Sequence, residues 1–192
     1  MILVVAVGVV LLRYADPWLV LLPVILLVLL YFLFRDPIRE VPSVALGIIS
    51  PADGTVVSVE TTDKCVVQGE AYLLRIRVNG LGTYTARSPV EGKVMDLQSS
   101  VEGIGPDCPL NALWVQTDEG ENVVLQFHGY RFGLAPRSFI RFGERIGQGH
   151  RCAYLRLAQY ADVYMPITSK ILVKPGQQVV AGEDLIATLT RS

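Results

Sequence analysis

Ser50-Pro51-Ala52-Asp53-Gly54-Thr55-Val56 is answered further along the chain by Ser88-Pro89-Val90-Glu91-Gly92-Lys93-Val94, both reading S-P-x-x-G-x-V. Proline presets a turn and glycine supplies a position open to positive φ, so each phrase delivers the chain into a strand starting at its valine. A second phrase is also written twice. Phe142-Gly143-Glu144-Arg145-Ile146-Gly147-Gln148-Gly149 and Pro175-Gly176-Gln177-Gln178-Val179-Val180-Ala181-Gly182 each carry G-x-x-[IV]-x-x-G, a turn, a short strand and another turn. Around them, Ile48–Glu60, Tyr72–Val78, Asn122–His128 and Ile171–Val173 are short apolar or alternating stretches bounded by glycine and proline, which is strand grammar. Beyond Pro42 no stretch of ten or more residues carries a clean helical stripe, so this part of the chain is read as mainly β.

Upstream of the first phrase the composition changes. The chain is 51% hydrophobic, and the excess sits at the front, where Met1 to Phe34 holds only Arg13 and Asp16 as charges. Met1–Leu12 reaches about 18 Å as a helix and Trp18–Phe34 about 26 Å, against a bilayer core of ~30 Å. Between the two apolar runs, Arg13-Tyr14-Ala15-Asp16-Pro17 carries turn chemistry. The expectation is a membrane anchor over 1–34, two apolar helices broken at 13–17, with Trp18 and Tyr31 near the ends of the second run where an aromatic belt would place them. A cleavable signal peptide needs a basic start and a small-residue cleavage site, and neither is present. Arg35 and Arg39 follow the second run, which by the positive-inside rule places the following domain in the cytoplasm, anchored N-terminally to the cell membrane. The organisation expected is anchor 1–34, juxtamembrane linker 35–47 and β-rich domain 48–192.

Charge narrows the function classes. Seventeen basic against 18 acidic residues give a net charge of −1, without the basic stripe that nucleic-acid binding needs. Cys65, Cys108 and Cys152 are odd in number and far apart, giving neither a disulfide framework nor a zinc pattern. His128 and His150 are the only histidines and have no metal-ligand spacing, so no metal is expected.

One phrase of each kind resembles the half-module of the flattened barrel used by biotinyl and lipoyl carrier domains. Two copies imply a hammerhead-like barrel-sandwich domain of two interlocked half-modules, preceded by an N-terminal helical membrane hairpin. A carrier lysine at a hairpin tip is the matching function, but Lys170 follows Met165-Pro166-Ile167-Thr168-Ser169 and lacks the methionine neighbours of such a lysine.

A more specific likeness runs from the anchor to the C-terminus. Phe34-Arg35-Asp36-Pro37-Ile38-Arg39 with Pro42, then Ser50-Pro51-Ala52-Asp53-Gly54, resembles the juncture of anchor and domain in the small phosphatidylserine decarboxylases. Arg87-Ser88-Pro89-Val90-Glu91-Gly92-Lys93-Val94 is similar to that family's Asn-Arg, Pro and Gly before a strand. Gly149 to Pro166, with Ala158-Gln159-Tyr160-Ala161-Asp162-Val163-Tyr164-Met165-Pro166 at its end, matches the frame of the family's cleavage region, and Gly176 to Ala187 fits as well. The stretch Ser99–Gly120 is the weakest part, and Ser99–Pro109 reads as loop.

The resemblance implies a proenzyme whose Gly-Ser bond breaks through the serine hydroxyl, leaving a pyruvoyl group that acts as electron sink. Its chemistry does not carry over. The Gly-Ser position falls on Ala158 and Gln159, and glutamine has no hydroxyl. The family's Asp-x-His pair falls on Gly82 and Tyr84, and the Asn before Arg87 is Ala86. Asp162 fits the family's Asp after the cleavage site, but the sequence shows it no partner. Ser138 and Ser169 are not preceded by glycine.

The expectation is a membrane-anchored, non-catalytic relative in phospholipid metabolism, with no pyruvoyl cofactor and no catalytic residue at Gly82, Tyr84, Ala158 or Gln159. Its partners would be membrane phospholipid or another enzyme of lipid metabolism. Arg87, and with it Arg131, Arg137 and Arg141, would offer contacts to a lipid phosphate. Two alternatives stand beside this reading. One is a phospholipid decarboxylase (a lyase) with a relocated centre, where Lys170 or Lys174 would have to hold an external carbonyl cofactor. The other is a structural docking protein.

Overall fold

A computed structural model of the chain describes residues 21–63, 70–95, 112–130, 136–155 and 157–190, and within them the two S-P-x-x-G-x-V phrases fold alike. Ser50 Oγ donates to the carbonyl of Ala52 at 2.8 Å, and Ser88 Oγ donates to that of Val90 at 2.7 Å. Both serines are fully buried, so this local bond is what satisfies each hydroxyl. The glycine that follows has a different reason from the one the sequence suggests. Neither Gly54 nor Gly92 has a positive φ. Instead a Cβ on Gly54 would stand 2.2 Å from the carbonyl oxygen of Arg77, and one on Gly92 would stand 2.1 Å from that of Gln116. Close approach of a neighbouring strand is the constraint.

The first part of the chain supplies β1 (Gly47–Ile49), β2 (Gly54–Thr62), β3 (Ala71–Val78), β4 (Thr85–Arg87), β5 (Gly92–Met95), β6 (Ala112–Gln116) and β7 (Asn122–His128). The rest supplies β8 (Arg137–Ser138), β9 (Arg145–Ile146), β10 (Arg151–Tyr154), β11 (Tyr160–Pro166), β12 (Lys170–Ile171), β13 (Gln178–Val179) and β14 (Leu185–Thr188). The second repeated phrase clasps the first. Gly176 N–H donates to Val56 O and Val56 N–H to Gln177 O; in the other copy Gly143 N–H donates to Val94 O and Val94 N–H to Glu144 O. Gly182 and Gly149, at φ +78° and +74°, donate likewise to Ser50 O and Ser88 O. The two clasps are cross-tied by Ile49 N–H to Pro89 O at 3.0 Å and Arg87 N–H to Pro51 O at 2.9 Å.

The sheets repeat this pairing. One has eight strands in the order β13-β2-β3-β11-β7-β6-β5-β9, which reads the same from either end once each strand is matched to its repeat. A pseudo-twofold axis passes between β11 and β7 at the Val163–Leu125 pair. The two three-stranded sheets, β1-β14-β12 and β4-β10-β8, are matched in the same way. One buried cluster draws on all three, including Ile48 and Ile186, Ala86 and Cys152, and Leu74, Leu125 and Val163. The long strands of the large sheet contribute alternate residues to it, as in Leu74 and Ile76, Val123, Leu125 and Phe127, or Ala161, Val163 and Met165. The β-rich expectation holds. A closed barrel does not form among the described residues, because the terminal strands β13 and β9 are two residues long and stop at their glycine turns.

The chain divides into two compact units, Met1–Asp36 and Pro37–Ser192. In the first, α1 (Leu21–Leu33) is a 13-residue helix exposing Leu22, Ile25, Leu29 and Tyr31. At 1.5 Å per residue such a helix reaches about 20 Å. No helix among the described residues is long and apolar enough to cross a membrane, so the spanning helix expected over Trp18–Phe34 is not found there. The first apolar run, the break at 13–17 and hence the hairpin lie outside the described residues, as does the Ser99–Pro109 loop.

Two outcomes are expected from this packing. Gly54→Ala and Gly92→Ala should each lower stability by about 1–3 kcal/mol in urea unfolding, the usual result of forcing atoms into a packed site. Gly80→Ala, with nothing within 4 Å of its Cβ, should leave the midpoint unchanged. Cys152 is buried and its thiol is pushed up to about 12 by that burial. It is therefore protonated at pH 8, and peptide-mapped maleimide labelling should spare it in the folded protein and modify it in denaturant.

Candidate functional site

Two stretches of chain lie side by side near the end of β3. Val78 N–H donates to Gln159 O at 2.8 Å, and Leu155 N–H donates to Tyr84 O at 3.0 Å. Gly82 and Tyr84 thus sit on one stretch and Ala158 and Gln159 on the other. Ala158 N–H turns back to Leu155 O at 2.9 Å, and Gln159 N–H reaches His128 O at 3.2 Å. Leu157 between them holds φ 69°, a left-handed conformation that costs a leucine about 1–2 kcal/mol. Gly82 leaves the room that Asp53 occupies: a Cβ there would lie 2.7 Å from the Asp53 Cβ. The Asp53 carboxylate accepts from Thr83 N–H, Ala181 N–H and Arg39 Nη2 at 2.9, 2.7 and 3.2 Å.

Next to Gln159 the centre of the large sheet carries a charged cluster. Asp162 is 2% exposed and accepts a bidentate pair from Arg75, Nε at 2.9 Å and Nη2 at 2.8 Å. His128 Nε2 lies 2.9 Å from Asp162 Oδ2, the oxygen that Arg75 Nη2 also reaches. An ionised carboxylate only accepts, so with Asp162 charged Nε2 carries the hydrogen, and in the neutral ring Nδ1 is left as an acceptor. The imidazole stacks on Tyr160 at 5.2 Å and 20°, and the Arg77 guanidinium lies 6.0 Å from the same ring. Tyr164 donates to Gln126 at 3.0 Å, and burial, with Asp162 nearby, pushes its phenol upward. The bond to Asp162 likewise raises Arg75. Read along the chain, Asp162 has no partner. The structure gives it two, because β3 and β7 flank β11 with Arg75, Asp162 and Gln126 in register. Only knowledge of that pairing reveals the cluster; the one local cue is an acid inside a strand that is otherwise apolar.

The pseudo-twofold axis supplies an internal comparison. It carries Asp162 onto Val124, Arg75 onto Trp114 and His128 onto Pro166, which are matched by the same register. An apolar trio fills the place of the charged one in an otherwise equivalent half, so the sheet does not need the charges to form.

The remaining candidates are dispersed. Arg87 is 6% exposed, its Nη1 donating to Gly149 O at 3.0 Å and its Nη2 to Pro37 O at 2.9 Å. Both terminal nitrogens of its guanidinium thus reach backbone carbonyls. Ala86 is buried in β4. His150 is exposed in the turn after Gly149. Ser138 Oγ lies within bonding distance of the carbonyls of Ile140 and Cys152, and Ser169 is buried. Arg137, Arg141 and Lys170 are exposed, as is Lys174, while Arg131 lies outside the described residues.

A scan against protein-family models finds no match. Curated relatives are plain, however. The chain is 32% identical over 176 residues to a protein of Burkholderia ambifaria (strain MC40-6) named phosphatidylserine decarboxylase proenzyme, covering 86% of this chain and 81% of that one. It is 32% identical over 190 residues to the protein of that name from Nitrosomonas europaea, covering 92% and 86%. The chain belongs to the phosphatidylserine decarboxylase family. The Nitrosomonas eutropha member is 30% identical over 187 residues. Among solved structures, the glucose permease IIA of Mycoplasma capricolum superposes with a TM-score of 0.50 at 19% identity, covering 76% of this chain and 96% of that one. At that identity the likeness is one of fold. Within the decarboxylase family frame, the charged cluster yields a direct expectation. Asp162→Asn should lower stability by about 2 kcal/mol in urea unfolding, since bonds to a charged group are lost while the partly exposed Arg75 is re-solvated.

Proposed function

We propose that this chain is a non-catalytic, membrane-anchored member of the phosphatidylserine decarboxylase family that binds phospholipid or an enzyme acting on it. The observation that carries this reading is the occupant of the turn beside His128. Ala158 and Gln159 stand where the family frame places the self-cleaving bond, and the Gln159 carboxamide has no hydroxyl with which to attack it. A pyruvoyl group does not fit this residue set. The neighbouring positions Gly82 and Tyr84 supply no carboxylate or imidazole for proton transfer.

Support for the anchor comes from the sequence, in the apolar residues of 1–34 and in Arg35 and Arg39, which favour a cytoplasmic β domain. The paired clasps and their cross-ties support reading the two repeats as interlocked hammerhead half-modules. The Asp162 cluster is here a positioning and stabilising feature of the old frame, holding His128 and the start of β11 in place.

The test is the intact mass of the full chain purified in detergent and measured under denaturing conditions. One species at 21.1 kDa is expected. Two fragments, the smaller ending at Ser192 and carrying an N-terminal carbonyl, would overturn the reading and establish a self-processing decarboxylase.

A further inference from the structure

Tyr84, Arg137, Ser138, Phe139, Ile140, Arg141 and Tyr154 enclose an open groove of about 540 Å³ on the small sheet β4-β10-β8. Its floor is aromatic. Tyr154 packs on Tyr84 at 5.5 Å and on Phe139 at 5.2 Å, yet Phe139 and Tyr154 remain 46% and 42% exposed. Phe142, at the tip of the adjoining turn, is 64% exposed. Two arginines stand on its rim, and among the described residues neither guanidinium meets a carboxylate. Glu144, the nearest acid in sequence, accepts instead from the Arg141 backbone N–H at 3.1 Å and so holds the turn.

Exposed aromatic rings beside unpaired arginines are what a phospholipid surface recognises. The rings suit the interface between headgroup and acyl chain, and each guanidinium offers a fork of donors to a phosphate. The other half of the molecule lacks the rings. Register matches Arg137 to Lys170 and Tyr154 to Thr188, and the bonds of Leu155 and Leu189 match Tyr84 to Leu46. Positive charge recurs there, at Lys170 and Lys174, but no ring does, so the scaffold does not require the aromatic stack.

We propose that this groove is the seat of a phospholipid headgroup at an anionic bilayer surface, with Arg137 and Arg141 on the phosphate and Phe139, Phe142 and Tyr154 entering the interface. The proposal rests on the lipid-binding reading above and names its site. It also moves the phosphate contact from the buried Arg87 to two exposed arginines.

The experiment uses the full chain in phosphatidylcholine nanodiscs doped with a phosphatidylserine that bears a photoactivatable group near its headgroup, with cross-links mapped by peptide mass. Cross-linking of the 137–154 peptides is expected, falling about tenfold in an Arg137→Gln/Arg141→Gln variant. The matched Lys170→Gln/Lys174→Gln variant should keep it. Unchanged labelling in the arginine variant, or equal loss in the lysine variant, would overturn the proposal. Should the arginine variant fail to fold, wild-type protein decides alone: labelling of the 137–154 peptides no greater than that of the matched peptides around Lys170 and Lys174 would overturn it. Intact mass on the same sample separates the two readings. A cleaved chain that labels at the groove keeps the groove and loses the non-catalytic reading, and a single chain that does not label there does the reverse.

Discussion

Two backbone bonds, Ile49 N–H to Pro89 O and Arg87 N–H to Pro51 O, tie each repeat to the other. Proline has no N–H to give, so in both turns its carbonyl is the group left to bond, and each repeat satisfies the other's. Ser50–Ala52 and Ser88–Val90 are buried, where an unmet backbone group costs about 1–3 kcal/mol. The consequences spread outward. The turn can be buried only if its serine closes on its own loop, as Ser50 and Ser88 do, and only if the next strand can approach, as Gly54 and Gly92 permit. The G-x-x-[IV]-x-x-G phrase then closes over the strand through Val56 or Val94. Neither half can be completed without the other, because each hydrophobic face is finished by strands from both ends of the chain.

A scaffold with such internal symmetry separates what folding needs from what it does not. Where the two halves agree, in the buried serines, the clasping glycines and the valines, the residue serves the architecture. They disagree at Arg75, Asp162 and His128 against Trp114, Val124 and Pro166, and at Tyr84 and Tyr154 against Leu46 and Thr188. A buried carboxylate held by two cationic or donor groups is seldom a better core than an apolar trio of similar volume. Its presence in one half alone distinguishes that half from its repeat, and Gln159, which bonds His128 and Val78, lies beside it.

How much of this was readable in the sequence depended on range. The repeated phrases are local, so their turns, strands and even their pairing into modules were visible in the spacing. The reason for Gly54 and Gly92 was not, since the obstruction is a carbonyl from a strand distant in sequence. Asp162 looked solitary because its partners come from β3 and β7, and sequence offers no register between them. Arg87 was legible as a candidate, but its bonds to the carbonyls of Gly149 and Pro37 join stretches far from it in sequence and were not. The groove was half visible, in Arg137 and Arg141, while the aromatic stack joins residues from three separate stretches. At the front of the chain, hydropathy pointed to a span longer than α1 supplies among the described residues.

The turn that the family frame aligns with self-cleavage is held from outside itself. Leu157 keeps an unfavourable φ because its neighbours are fixed on both sides, Leu155 to Tyr84 before it and Gln159 to His128 and Val78 after it. None of those bonds uses the side chain at position 158 or 159. A substitution that removes a nucleophile there leaves the turn's support intact, so loss of the chemistry carries little penalty in folding. The reverse would not hold for Asp53, whose carboxylate joins Arg39, Thr83 and Ala181. Its removal would leave the N–H groups of Thr83 and Ala181 without that acceptor. The backbone bonds that hold the turn therefore let the side chains at 158 and 159 differ while the frame around them is kept.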